Sequence, residues 1–203
     1  FSLHPVKIIT SGEGGVLTTN DHLIYEKIKN LRSHGIIKDK EKFVQNNFQP
    51  WIYEQQSLGF NYRLTDIQCA LALSQLKRLE NIVNERNNLF EKYKVLIEDL
   101  PVSLLNIPDK VLSSVHLAII RINEKNPSLH QKLFQSMRDK GIGVQLHYFP
   151  IHLQPFYRNL GFKKGDFPNA EYYAENAMTI PLYPGLKMKQ QKYVLKSLKE
   201  SFS

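Results

Sequence analysis

The first fifteen residues, FSLHPVKIITSGEGG, constrain this chain more than any other stretch. Lys7 stands between Val6 and the pair Ile8-Ile9, and Thr10 and Ser11 lead into the turn Gly12-Glu13-Gly14-Gly15. An apolar run, a glycine turn and then Val16-Leu17-Thr18-Thr19 predict a hairpin pairing residues 6–10 with 15–19. A lysine hemmed in by β-branched neighbours is expected to be partly desolvated, which disfavours its ammonium form. The neutral amine is the form that condenses with a carbonyl. Ser2, five residues upstream, offers a hydroxyl to a phosphate, and the glycine turn permits close backbone approach to a ligand. The alternative is an ordinary lysine that snorkels from a strand end.

Ser2, His4, Lys7, Ile9, Thr10, Glu13, Gly14 and Gly15 fall at the offsets of the segment S-F-H-x-x-K-x-I-T-x-x-E-G-G. The stretch resembles the active-site lysine segment of the DegT/DnrJ/EryC1/StrS sugar aminotransferases, with Leu3 replacing an aromatic ring. That resemblance implies an α/β, aspartate aminotransferase-like (fold type I) enzyme that uses pyridoxal 5′-phosphate. It implies that Lys7 holds the cofactor through its amine and then shuttles protons, and that Ser2 helps bind the cofactor. Relatives that dehydrate sugars carry histidine at this position, so Lys7 points to transamination.

The totals restrict the field without choosing within it. A chain of 203 residues can bury a real core, as one large or two small domains. No apolar run approaches the roughly 20 residues needed to span a bilayer, so no membrane partner is expected. The net charge of +8, from 27 basic and 19 acidic residues, would suit nucleic acid. Yet there is no arginine-rich run, RNA-binding signature or zinc spacing, and the same charge attracts a nucleoside diphosphate, a cofactor phosphate or a carboxylate. The single cysteine, Cys69, excludes an intrachain disulfide framework and fits a reducing cytoplasm. It lies in an apolar helical stretch and is expected to pack there. The chain begins with Phe1, in what reads as mid-strand. Because the lysine of this family lies near the middle of its chains, the sequence is read as the C-terminal half. The upstream half is expected to carry the ring that stacks on the cofactor and the acid that meets its pyridine nitrogen.

Downstream, Asn20 and Asp21 offer caps to a helix in which Ile24, Ile28 and Leu31 repeat, ending at His34-Gly35. His34 resembles the histidine of the family's R-x-H-G segment; a histidine favouring a helix C-terminus is the plainer reading. Residues 36–58 read as a long loop, with Trp51 and Tyr53 packing on something outside it. Thr65 and Gln68 form a capping box for a helix that is apolar nearly all round from Ile67 to Leu79 and should be buried. The segment Gly59–Asp66 resembles the family's G-x-N-x-R-x-x-x-x-Q-A-A pattern. The resemblance implies that this loop crosses a homodimer interface, where Asn61 and Arg63 contact cofactor phosphate or substrate. Without it, Asn61 is a turn former and Arg63 a surface ion-pair partner.

A second helix, about 80–98, turns Ile82, Leu89, Phe90, Tyr93 and Ile97 to one side. Pro108 marks the expected hinge, dividing 1–107, the end of the cofactor-binding large domain with interdomain helices, from 108–203, a smaller α+β domain. Strands are predicted at 115–122, 143–148 and 178–180. Helices are predicted from Ser128-Gln131 to Gly141, at 169–177 and at 187–202. His147 and His152, five apart, are weak evidence for a metal without a nearby carboxylate or cysteine, and no metal is expected. The segment QLHYFPIHLQPFY resembles the family's V-x-x-H-Y-x-P-x-H-x-x-P-x-Y, which implies that Gln145, His147 and Tyr148 line a sugar pocket. A strand histidine beside a core tyrosine is the structural alternative. His22 and His130 read as solvated, and Ser114 and His116 as structural.

The resemblance thus implies transfer of an amino group, with glutamate the expected donor, to a keto-sugar carried on a nucleoside diphosphate. Among subgroups, HPVK, LRSHG, GFNYRLTDIQ and QLHYFPIH look most like the aminotransferases of the pseudaminic-acid pathway, which act on a UDP-linked 4-keto-6-deoxy-N-acetyl sugar. The competing reading is a non-catalytic fragment or basic binding module that keeps the fold without the chemistry.

Overall fold

The structure, a computed structural model, describes residues 1–46, 49–124 and 126–202. They pack as two compact units, Phe1–Leu79 and Glu80–Ser203.

The first unit begins with an excursion in place of the expected hairpin. Ser2 bridges Gly15, the Leu3 amide donates to Gly14 O at 2.9 Å and Val16 donates to Phe1 O at 2.9 Å. Residues 4–10 loop out between these contacts, closed by Ser11 N donating to Leu3 O at 3.0 Å. Pro5 explains the failure of the 6–10 strand, since its fixed φ and missing N–H interrupt a ladder. Lys7 N instead closes a turn onto His4 O at 3.0 Å.

Helix α1 (His22–Arg32) starts on Asp21, whose carboxylate accepts from Leu23 N at 2.8 Å and Ile24 N at 3.1 Å. It ends in a left-handed pair, His34 at φ 63° and Gly35 at φ 69°. The stretch read as a loop contains a short antiparallel pair, β1 (Ile36–Ile37) with β2 (Glu54–Gln55), and a 3-10 turn at Lys40–Lys42. Glu54 organises it: its buried carboxylate accepts from the amides of Val44 and Gln45, each at 2.8 Å, and from Gln56 Nε2 at 2.8 Å. Those donors, Val44 foremost, hold the Glu54 carboxyl below the usual carboxylate range.

Helix α2 (Asp66–Leu76) opens with the predicted capping box of Thr65 and Gln68. The expected burial fails: Ile67 is 83% exposed, Leu73 56%, and Cys69 is exposed with them. Its apolar side chains Ile67, Leu71, Leu73 and Leu76 are exposed, while Gln68 and Gln75 tie it by hydrogen bonds to the first fifteen residues.

In the second unit, β3 (Val102–Leu104), β4 (Ala118–Ile122) and β5 (Ala177–Ile180) form an antiparallel sheet in that order. Val102 stands opposite Ile122, and Ala118 opposite Ile180. Helices α3 (Leu79–Leu96), α4 (Pro127–Asp139) and α7 (Met188–Phe202) supply the rest of the core, with Tyr93, Ile120, Leu133, Met137, Met178 and Leu198 fully buried. The α3 face predicted from spacing is the buried one. Because that face belongs to this core, and because β3 pairs with β4 across the expected 107/108 division, the compact boundary falls at 79/80. Helix α4 is capped by Asn126, which accepts from Leu129 N at 3.1 Å, and has Pro127 in its first turn, so Ser128 is already inside it.

The predicted strand at 143–148 reduces to one bridge, Gln145 with Thr179. Beyond it the chain leaves the sheet through Pro150, a 3-10 turn at Ile151–Leu153 and α5 (Pro155–Asn159), and returns through α6 (Pro168–Asn176). His130, read as solvated, is bound through Nε2 to Ala177 O at 2.9 Å. Ser114 and His116 lie beside a structural contact: buried Arg86 donates to the carbonyls of Val115 and His116.

Candidate active-site residues

Lys7 sits on the 4–10 excursion and is exposed; among the described residues no hydrogen bond or ion pair engages its side chain. The expected desolvation is absent in this chain, because the segment is a turn and Val6, 64% exposed, does not cover the amine. Ser2 is exposed, its hydroxyl 3.4 Å from His4 N. Two residues that the sequence reading did not single out for this role fasten the excursion. Gln75 Oε1 accepts the Thr10 amide at 3.0 Å, and Gln68 Nε2 donates to Glu13 O at 3.1 Å. Seven residues apart, two helical turns, they lie on one face of α2. That spacing was the available signal. Within the excursion Thr10 Oγ1 donates to Leu3 O at 2.7 Å and Ser11 Oγ to Glu13 O at 2.7 Å.

The Gly59–Arg63 segment runs along the end of α1. His34 N donates to Phe60 O at 2.8 Å, Tyr62 N to Arg32 O at 2.9 Å, and Asn61 bridges Ser33. A side chain at Gly59 would collide with the Gly35 amide, and one at Gly35 with the Ser57 carbonyl. Two glycines therefore let two backbones touch. The side chains of Asn61 and Arg63 are exposed, with no partner among the described residues.

In the second unit, Gln145 is exposed and exchanges backbone hydrogen bonds with Thr179, at 3.2 and 2.7 Å. His147 Nδ1 lies 2.8 Å from Thr179 Oγ1, and its ring meets Tyr148 edge-on at 4.7 Å. Tyr148 is 69% exposed, so it is not the core tyrosine of the structural alternative. His152 is buried and bonded through Nε2 to Glu171 Oε1 at 2.8 Å. The carboxylate missing from the sequence argument is thus supplied from nineteen residues downstream, as a hydrogen-bond partner. The two histidines have different partners, and no group of three or more His, Cys, Asp or Glu among the described residues is placed to hold a metal.

Residues 1–199 match the DegT/DnrJ/EryC1/StrS aminotransferase family, and the chain belongs to that family. The UDP-4-amino-4,6-dideoxy-N-acetyl-beta-L-altrosamine transaminase of Campylobacter jejuni is 35% identical over 199 residues, covering 98% of this chain and 50% of its own. Helicobacter pylori PseC, an aminotransferase involved in the biosynthesis of pseudoaminic acid, matches with a TM-score of 0.88 at 31% identity, over 100% of this chain and 52% of that one. The PLP form of the putative sugar aminotransferase Spr1654 from Streptococcus pneumoniae gives 0.86 at 26% identity, over 99% and 50%. The chain spans about half the length of the curated relatives it matches. Its architecture is α/β, of the aspartate aminotransferase-like (fold type I) class, and pyridoxal 5′-phosphate is the cofactor of its family.

The donor set of the first unit suits that cofactor. An aldehyde needs a primary amine that no carboxylate has claimed, and Lys7 is one. A phosphate needs hydroxyl, amide or guanidinium donors, and Ser2, Asn61 and Arg63 present them at the surface. Among the described residues no helix is long and apolar enough to cross a membrane.

Proposed function

We propose that the protein containing this chain transfers an amino group from an amino acid, glutamate, to a UDP-linked 4-keto-6-deoxy sugar, in the making of a cell-surface amino sugar. The reading rests above all on the unclaimed Lys7 amine, held on an excursion that Gln68 and Gln75 fasten at two points, in a chain whose family membership runs from residue 1 to 199. Pyridoxal phosphate, when bound, supplies the electron sink for the chemistry. Lys7 holds it through Nζ, and the same nitrogen then takes and returns the proton of the donor's α-carbon. Ser2, Asn61 and Arg63 bind anionic oxygens. Gln145, His147 and Tyr148 orient the sugar. The working form is a homodimer in the cytoplasm, with the Asn61 loop serving the partner's site.

The test uses the full-length protein. It is expected to show visible absorbance that borohydride abolishes, leaving the label on the Lys7 peptide, and to aminate a UDP-4-keto-6-deoxy sugar with glutamate. A protein that carries no label at Lys7, or whose Lys7→Ala variant keeps the absorbance, overturns the reading.

A further inference from the structure

A groove of about 500 Å³ opens in the second unit between the 3-10 turn at 151–153, α5 and α6. Tyr148, Tyr157, Phe162 and Phe167 wall it, His152 lies on its floor, and the lining is almost wholly apolar. The Phe162 and Phe167 rings stand 6.0 Å apart, and Phe167 is tilted over the His152 ring at 4.9 Å. The floor is braced from behind. Glu171 Oε1 takes His152 Nε2 at 2.8 Å and the Gly165 amide at 2.7 Å, tying the turn, the 162–167 loop and α6 together. That contact engages the imidazole Nε2.

Rings left half exposed around a preformed groove mark a binding site more often than a folding need. Phe167 is 48% exposed and Phe162 39%. Its wall includes Tyr148, one of the residues assigned to the substrate, so the groove continues that site. Arg158 and Lys163 adjoin the wall rings Tyr157 and Phe162 in sequence, while Lys164 is paired with Glu175 at 3.8 Å; the first two favour a flat aromatic ligand carrying negative charge over an apolar peptide. Flat rings stack on aromatic side chains whatever their hydrogen-bonding edge.

We propose that this groove seats the nucleobase of the nucleotide-linked substrate by stacking, without reading its hydrogen-bonding edge, so that uracil and cytosine, whose edges differ, are both accepted. The proposal rests on the nucleotide-sugar reading above. A site that hydrogen-bonds a particular edge rejects a wrong ligand by factors of about 10⁴ or more, whereas an apolar site tells apart ligands of nearly the same shape only about 10- to 200-fold.

Calorimetry on the full-length protein tests it, with UDP and CDP as probes, which share the ribose and differ at the base edge. Wild type is expected to bind the two within about 200-fold of each other. Phe162→Leu and Phe167→Leu keep apolar bulk but remove a ring. Each is expected to weaken both nucleotides roughly tenfold and to raise KM for the nucleotide sugar, leaving kcat and KM for the amino donor unchanged. Circular dichroism and the visible band check that each variant is folded and loaded. Nucleotide binding that both leucine variants leave intact, or a CDP affinity more than about 200-fold below that of UDP, overturns the groove assignment alone. A protein labelled at Lys7 that binds neither nucleotide overturns the nucleotide-sugar reading itself, and the groove assignment with it.

Discussion

Gln75 Oε1 accepts the backbone amide of Thr10 at 3.0 Å, three residues along the chain from Lys7. The bond fixes where the excursion meets α2, and with Gln68 it limits how far the amine can wander. Small displacements of a reacting group cost rate steeply, about a hundredfold for 1 Å. Gln75→Leu in the full-length enzyme is therefore expected to lower kcat about tenfold with little change in KM. Gln75→Glu keeps an acceptor at the same reach and is expected to restore most of the rate. A leucine variant as active as wild type would show that the glutamine only decorates the helix.

The meeting of Gly35 and Gly59 carries a stability prediction. Gly59→Ala would place a methyl into the Gly35 amide, where the neighbouring atoms are backbone and cannot step aside. We expect a loss of about 1–3 kcal/mol in urea unfolding. Gly12→Ala, with open space around it at φ 85°, carries only the left-handed penalty of about 1–2 kcal/mol. Equal losses for the two would mean that close packing at Gly59 adds nothing.

Local chemistry made much of the fold legible. Asp21 before a periodic run, Thr65 with Gln68, and the spacing of Leu89, Phe90 and Tyr93 each depend on residues within a turn or two, and each reads correctly. Long-range partners did not show. The 6–10 strand loses to Pro5, and the 143–148 strand loses all but Gln145 because the chain turns away to build an aromatic wall. Lys7 was legible as a motif and illegible as an environment: neighbours in sequence suggested burial, and burial depends on what packs above. His152 shows the same limit, since Glu171, its partner, stands on another helix.

That pair makes an acid-sensitive contact. The His152 ring first, then the Gly165 amide, holds the Glu171 carboxyl below its ordinary value of 4.5. The unfolded chain therefore takes up the proton at higher pH than the folded one does. The stabilisation is fully present above about pH 4.5 and is lost as pH falls through the folded value. Glu171→Gln should lower the unfolding midpoint at neutral pH, and the gap from wild type should narrow as pH falls below about 4.5. A gap independent of pH would assign the effect to packing.

Glu54 is the second carboxylate whose value lies in what it accepts. Among the described residues of 43–46 and 49–56, Val44 and Trp51 are 81% and 74% exposed. The three donors on Glu54 fasten this stretch, and two of them are backbone amides that would otherwise face water. Gln56 extends the clamp by donating also to Lys42 O at 2.7 Å. If this is so, the amides of Val44 and Gln45 should exchange slowly with solvent deuterium despite their exposed side chains. Glu54→Ala should speed both, along with tryptic cleavage after Lys42. Glu54→Gln, which keeps a single acceptor oxygen, should fall between. Amide exchange at Val44 and Gln45 unchanged in the alanine variant would mean that the β1–β2 pair holds the stretch by itself.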